Sequence, residues 1–255
     1  MSRYPTLATT RARRLRALIL PLLGTVALTA ACGAGEDQPG SASSSAPPTT
    51  ASAPTTQADQ PSPSASTQVT IPTSAFVELP PELRKSPRRS TPVADALPTM
   101  CGDEFATGGR QVTASASMTV TYKTPGEPDS NVPQGMIHQT IFTFDGDGAS
   151  DYLRRLRGGV EACLSYQEAR NSVEVESRAV PGVGDEALLV TRTWAETSLN
   201  GERTGGTASS QIAVARVDGA VTVLNDQGWE GTSGNPTIMD RVLRDSVRTI
   251  DAWQR

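Results

Sequence analysis

From residue 111 the chain begins to alternate. In "QVTASASMTVTYK", Val112, Ala114, Ala116, Met118, Val120 and Tyr122 fall on one side of an extended chain, with Thr113, Ser115, Ser117, Thr119 and Thr121 on the other. That period of two is the pattern of a half-buried strand. A turn-rich stretch, "TPGEPDSNVPQG", separates it from its predicted partner, "MIHQTIFTF". The period then lengthens. Ala149, Tyr152, Leu153, Leu156, Val160 and Cys163 recur at three and four residues, one face of a helix, with Arg154, Arg155, Arg157 and Glu161 outside. Asp147 stands where that helix needs a cap, and Gly158-Gly159 weakens its last turn. Two strands follow, "SVEVESRAV" and "EALLVTRTW", separated by Pro181-Gly182. A polar loop is predicted over 196–209. "QIAVARVDGAVTVLN" then folds back at Asp218-Gly219, a two-residue hairpin turn whose central positions both need positive φ. The closing helix has Asn235 as cap, Pro236 in its first position, and Met239, Val242, Leu243, Ser246, Val247 and Ile250 as its buried stripe, with Trp253 beside it.

The resulting order, β-β-α-β-β-β-β-α, predicts an α+β fold: a mainly antiparallel sheet of about six strands with two helices packed on one face. Residues 71–100 carry six prolines and are expected to dock as irregular chain, anchored by Phe76, Leu79 and Leu83. The basic run Arg84-Lys85-Ser86-Pro87-Arg88-Arg89 within them reads as solvated. Residues 71–255 have the length of one domain with a real core.

The first seventy residues have a different character. Arg3, Arg11, Arg13, Arg14 and Arg16 precede an uncharged stretch from Ala17 to Ala31. About fifteen residues are too few to span a bilayer, which takes about twenty, but they have the length and flanks of a secretory signal. The stretch ends Leu28-Thr29-Ala30-Ala31-Cys32, which resembles a bacterial lipoprotein lipobox. That resemblance implies a lipidated Cys32 and a membrane anchor on the outer face of the cell membrane, with residues 1–31 as the signal peptide. Residues 32–70 are rich in Ser, Thr, Ala and Pro with no aromatic residue, too poor in apolar surface to fold. A flexible chain of that length sets its ends roughly 30–40 Å apart.

Three cysteines are an odd number. Lipidation of Cys32 leaves Cys101 and Cys163 to pair as a disulfide in an oxidising compartment. The leader also removes five basic residues, leaving 18 against 27 acids and a net charge of −9. An acidic surface argues against nucleic acid as a partner.

The chain carries no catalytic signature, no metal-ligand set and no cofactor motif. His138, the one histidine, shares a strand face with Met136, Phe142 and Phe144 and reads as a satisfied or edge histidine rather than a base. Gly182-Val183-Gly184-Asp185-Glu186-Ala187 spells a dinucleotide fingerprint, but a strand follows it where that motif needs a helix. Asp145-Gly146-Asp147-Gly148 starts like a calcium loop, yet Ala149 and Leu156 stand where ligands belong. The acid pairs Asp103-Glu104 and Asp185-Glu186 would matter only if they converged across a cleft. Aromatic side chains are scarce, so Arg192 and Trp194, together on one strand face, and Trp229 are the candidate ligand-binding residues.

Taken together, "IPTSAFVELP", the "LPTMCG" cysteine, the "ASDYLRRLRGGVEAC" helix, "VPGVGDEALLV", the valine hairpin and the terminal helix resemble actinobacterial sensor-domain lipoproteins. They are similar to the extracellular sensor domain of mycobacterial PknH-type receptor kinases. The resemblance implies an α+β domain with a cleft for an unidentified extracellular ligand. The chain departs from it in having cysteines for one disulfide where the kinase domains carry two. Three functions stay open: a ligand-binding or sensing lipoprotein with no catalytic activity, an accessory protein of a cell-envelope complex, and a cell-wall enzyme. A closed cleft favours the first, an open apolar sheet face the second, and converging acids the third.

Overall fold

The computed structural model describes residues 69–255, except Asp103, Asp129 and Leu199. The leader, Cys32 and most of the tether lie outside the described residues. Within them are nine strands and three α-helices: β1 (Arg84–Lys85), β2 (Arg89–Ser90), α1 (Val93–Ala96), β3 (Val112–Lys123), β4 (Gly135–Phe144), α2 (Gly148–Ala162), β5 (Ser165–Glu168), β6 (Asn171–Ala179), β7 (Glu186–Thr197), β8 (Arg203–Val217), β9 (Ala220–Gly228) and α3 (Pro236–Gln254). All pairings are antiparallel, in the order β1-β3-β4-β9-β8-β7-β6-β5, with β2 also on the outer edge of β3. The last hairpin thus returns to fill the gap between β4 and β7.

The six expected strands form, and three more join them. β1 and β2 are the basic run, expected to be irregular; the chain instead straps along β3, with Lys85 and Arg88 both paired to Glu78. Phe76, Leu79 and Leu83 are buried beneath that strap, as the pattern of apolar residues required. The polar loop expected over 196–209 is mostly strand: β7 runs to Thr197 and β8 starts at Arg203, so the hairpin extends past the core. Ladder hydrogen bonds, which no side-chain pattern encodes, hold it there.

The helices do not share a face. Leu188 and Val190 of β7, Ile212 and Val214 of β8, and Val221 and Val223 of β9 pack with Tyr152, Leu153, Leu156 and Val160 of α2. Their immediate neighbours Ala187, Leu189, Ala213, Ala215 and Leu224 pack with Met239, Val242 and Leu243 of α3. Consecutive strand residues point to opposite sides, so α2 and α3 cover opposite faces and the sheet is the middle of three layers. The sequence concealed this because β8 and β9 alternate large apolar with small residues, not apolar with polar. Ile212 and Val214 face α2; Ala213 and Ala215 let α3 approach closely.

The element ends follow local chemistry. Asn235 caps α3, its side chain accepting from Thr237 N–H, with Pro236 in the first position. Asp147 occupies the cap position of α2, but its side chain makes no capping hydrogen bond. At the Asp218-Gly219 turn only Asp218 takes positive φ (49°), not both residues. Gly184 (φ 57°) lies in a turn between strands, as expected for the failed dinucleotide lookalike; a Cβ there would stand 2.3 Å from the Arg216 carbonyl oxygen. Cys101 and Cys163 are bridged, with Cα atoms 5.8 Å apart. Gly159 lets the bridged segment lie close on α2, since a Cβ there would stand 2.9 Å from Glu104 Cγ.

Candidate functional site

α2 covers only part of its face of the sheet. Its apolar contacts end at Val190 on β7, Ile212 on β8 and Val223 on β9. The next positions on that same face are Arg192, Ser210 and Asn225, and beyond them Trp194 and Gln227. Apolar sheet gives way to polar sheet where the helix stops. There a cleft of about 330 Å³ opens, lined by Glu168, Ala169 and Asn171 from the β5–β6 turn, Val173, Arg192, Trp194, Ser210 and Gln227 from the strands, and Gly228, Gly231 and Thr232 beyond β9. A larger depression of about 590 Å³ is lined by the 124–134 segment alone and holds no buried charge.

Arg192 is the centre of the site. It is 6% exposed; its Nε donates to Ser210 Oγ at 2.9 Å and its Nη2 to Asn225 Oδ1 at 3.2 Å. Both partners are neutral, and among the described residues no acid lies within ion-pair distance of it. The Asn225 Oδ1 is thereby fixed as acceptor, which leaves its Nδ2 buried without a partner. Tyr166 stands beside this cation. Burial pushes its phenol pKa up while Arg192 pulls it back, and its hydroxyl reaches Glu168 Oε2 at 3.4 Å.

His138 continues the polar row on β4, opposite Asn225. It is buried, and its Nδ1 is hydrogen-bonded to Thr119 Oγ1 at 2.7 Å. Burial holds its pKa below the usual histidine value, partly offset by Gln227. A neutral, tethered imidazole of this kind suits a hydrogen-bonding wall better than a proton relay.

Two left-handed residues lie at the same place, and the third, Asp218, is in the β8–β9 turn. Three non-glycine residues among those described have positive φ: Ala169, Asp218 and Glu230. Ala169 lines the cleft and Glu230 lies in the short 3-10 turn Trp229–Gly231 that forms its edge. Strain of about 1–3 kcal/mol per residue is held where surrounding structure over-determines the backbone, and it gathers at ligand sites.

Of the three residues singled out by sequence, Arg192 and Trp194 line the cleft together, while the Trp229 side chain does not, although its neighbours do. The acid pairs do not form a catalytic pair. Asp185 bridges to Arg216 at 3.0 Å and accepts from Asp218 N–H, and Glu186 pairs with Arg157 of α2. Glu104 packs on α2, and Asp103 lies outside the described residues. Sequence reasoning missed Ser210, Asn225, Gln227 and Glu168. A signal existed for Asn225: the apolar run of β9 breaks there while the strand goes on.

No family model matches the chain, and no curated protein does. Among solved structures it is similar to the extracellular domain of PknH from Mycobacterium tuberculosis, at 13% identity and a TM-score of 0.43, over 67% of this chain and 86% of that one. A likeness at that level is too weak to carry ligand, site residues or function across.

Proposed function

We propose that this chain is an extracytoplasmic ligand-binding or sensing protein without catalytic activity, tethered to the membrane through a lipid on Cys32 and a Ser/Thr/Ala/Pro-rich linker. The observation that carries the binding reading is Arg192: a buried cation with no direct ion pair among the described residues, placed in the wall of a cleft between four strands and two turns. Concave sites with a few convergent polar groups and an aromatic wall suit small-molecule capture. Among the described residues no helix is long and apolar enough to cross a membrane, which fits a domain held by an anchor outside the fold. The binding reading also gains from what the titratable groups do. Asp185, Glu186 and His138 are tied into structural contacts, so none stands free as an acid or base. Over the core both sheet faces are covered, and the large exposed apolar side chains among the described residues, Val69, Val132 and Leu164, come from three separate segments. An apolar docking face for a protein partner therefore has less support.

Native mass spectrometry of the full-length, exported and oxidised protein tests this directly. A discrete adduct that disappears on denaturation is expected. A clean apo mass, from protein purified out of its own envelope, moves the assignment to the accessory-protein reading.

A further inference from the structure

Elsewhere this protein neutralises its partly buried arginines. Arg88 meets Glu78, Arg157 meets Glu186 and Arg216 meets Asp185. Arg192 is more deeply buried than any of these, yet its partners are a serine hydroxyl, an asparagine amide and the Tyr166 phenol, with no direct ion pair among the described residues. A guanidinium carries five N–H donors, so these contacts leave part of its donor edge available. The asparagine that orients it is left with a buried, unpartnered Nδ2. Burying a charge without a direct ion pair beside an unmade hydrogen bond is costly.

We propose that Arg192 is the anion-recognition residue of the cleft, and that its ligand is a small molecule bearing a carboxylate, with the body of the molecule laid against Trp194. This rests on the ligand-binding reading above and narrows it to a chemical class. The planar guanidinium fork matches the two oxygens of a carboxylate, and such charge-assisted bonds are about twice as strong as neutral ones. Ser210 and Asn225 hold the fork from the sheet, which preorganises it. Glu168 at the rim disfavours a phosphate dianion more than a singly charged carboxylate, and it offers an acceptor for a hydroxyl or ammonium elsewhere on the ligand.

Thermal unfolding of the full-length, oxidised protein at fixed ionic strength tests the class, with phenylacetate, phenylacetamide and inorganic phosphate as probes. Phenylacetate is expected to raise the melting temperature with concentration, at about one tenth of the amide concentration needed for the same gain. Arg192→Lys keeps the charge and loses the fork; Arg192→Met loses both. Each is expected to abolish the acid-specific gain, measured as the shift that the acid produces in each variant relative to that variant without ligand. An acid-specific gain that persists in both variants overturns the proposal, because the arginine then takes no part in recognising the anion. So does the absence of an acid-specific gain in the wild type, or a greater gain from phosphate. An equal gain from acid and amide that Trp194→Ala removes keeps the cleft as a binding site but overturns its anion class. No gain from any probe, together with a clean apo mass, removes both readings.

Discussion

Asp226 is fully buried and joins three parts of the molecule. Its Oδ1 accepts from the Tyr122 hydroxyl of β3 at 2.7 Å, and its Oδ2 from the Asn235 N–H that opens α3 at 2.6 Å. Burial pushes its pKa up to about 6 from the usual 3.8, against the opposing pull of those two donors and of Arg192; the same burial, with the Asp226 charge, pushes Tyr122 up. The consequence for stability has a definite sign. Between pH 4 and 6 the folded carboxyl holds a proton that the unfolded chain has lost, so folding takes up a proton. Stability from this group therefore falls as pH rises through that window, by up to about 3 kcal/mol, and is flat above it. Asp226→Asn is fixed in the neutral form. The stability difference between variant and wild type should move in the variant's favour across pH 4–7 in urea unfolding series; parallel curves would show that Asp226 titrates normally. His138 acts in the opposite sense. Its lowered pKa makes the fold lose stability as pH drops below the unfolded histidine value, so the comparison with Asp226→Asn is needed to separate the two. None of this was legible in the sequence, where Asp226 is one acid at a strand end.

At the scale of elements, α3 is the piece most fully written in the chain. Its stripe is buried as the period required except for Val247, which is half-buried, and Ser246, the polar member, is satisfied by Gln139 Nε2 at 2.7 Å. Gln139 also accepts from Val77 N–H, so one side chain ties strap, sheet and helix together. Asn235→Ala removes the cap to Thr237 while its own N–H can still reach Asp226. A loss of about 1 kcal/mol is expected from denaturant midpoints at unchanged slope. A much greater loss would mean the asparagine side chain positions the Asp226 contact as well. α2 and the β8–β9 hairpin were equally legible, since apolar periodicity and turn residues are local. β1, β2 and β5 were not. Strands of two to four residues have too few positions to show a period, and they exist because an edge of β3 or β6 has unpaired backbone to offer.

For the molecule as a whole, the Cys101–Cys163 bridge closes a loop of 62 residues across β3, β4 and α2. Replacing both cysteines by serine is expected to cost about 4 kcal/mol through the looser unfolded chain, on the order of 10 °C in melting temperature for a domain of this size. Unchanged melting would show the bridge to be dispensable. The bridge sits at the far end of α2 from its cap, so it secures the helix that shields one half of the sheet face and leaves the other half to the cleft.

The sequence by itself determined the things that depend on neighbours along the chain: six strands, the two long helices and their buried stripes, and the place of the hairpin turn; it also pointed to the pairing of Cys101 with Cys163. It also put Arg192 and Trp194 on one strand face, since residues two apart must share it. Only the tertiary structure decided which side of the sheet each helix covers, because the small-large alternation in β8 and β9 fits burial on both faces and says nothing about which helix lies where. It alone decided where α2 stops, and hence that Arg192 meets Ser210, Asn225 and Gln227 in a cleft. Those residues come from three consecutive strands, and their meeting depends on the registers of the β7–β8 and β8–β9 pairings, which set Arg192 opposite Ser210 and Asn225 opposite Ile212, rather than on any periodicity along the chain.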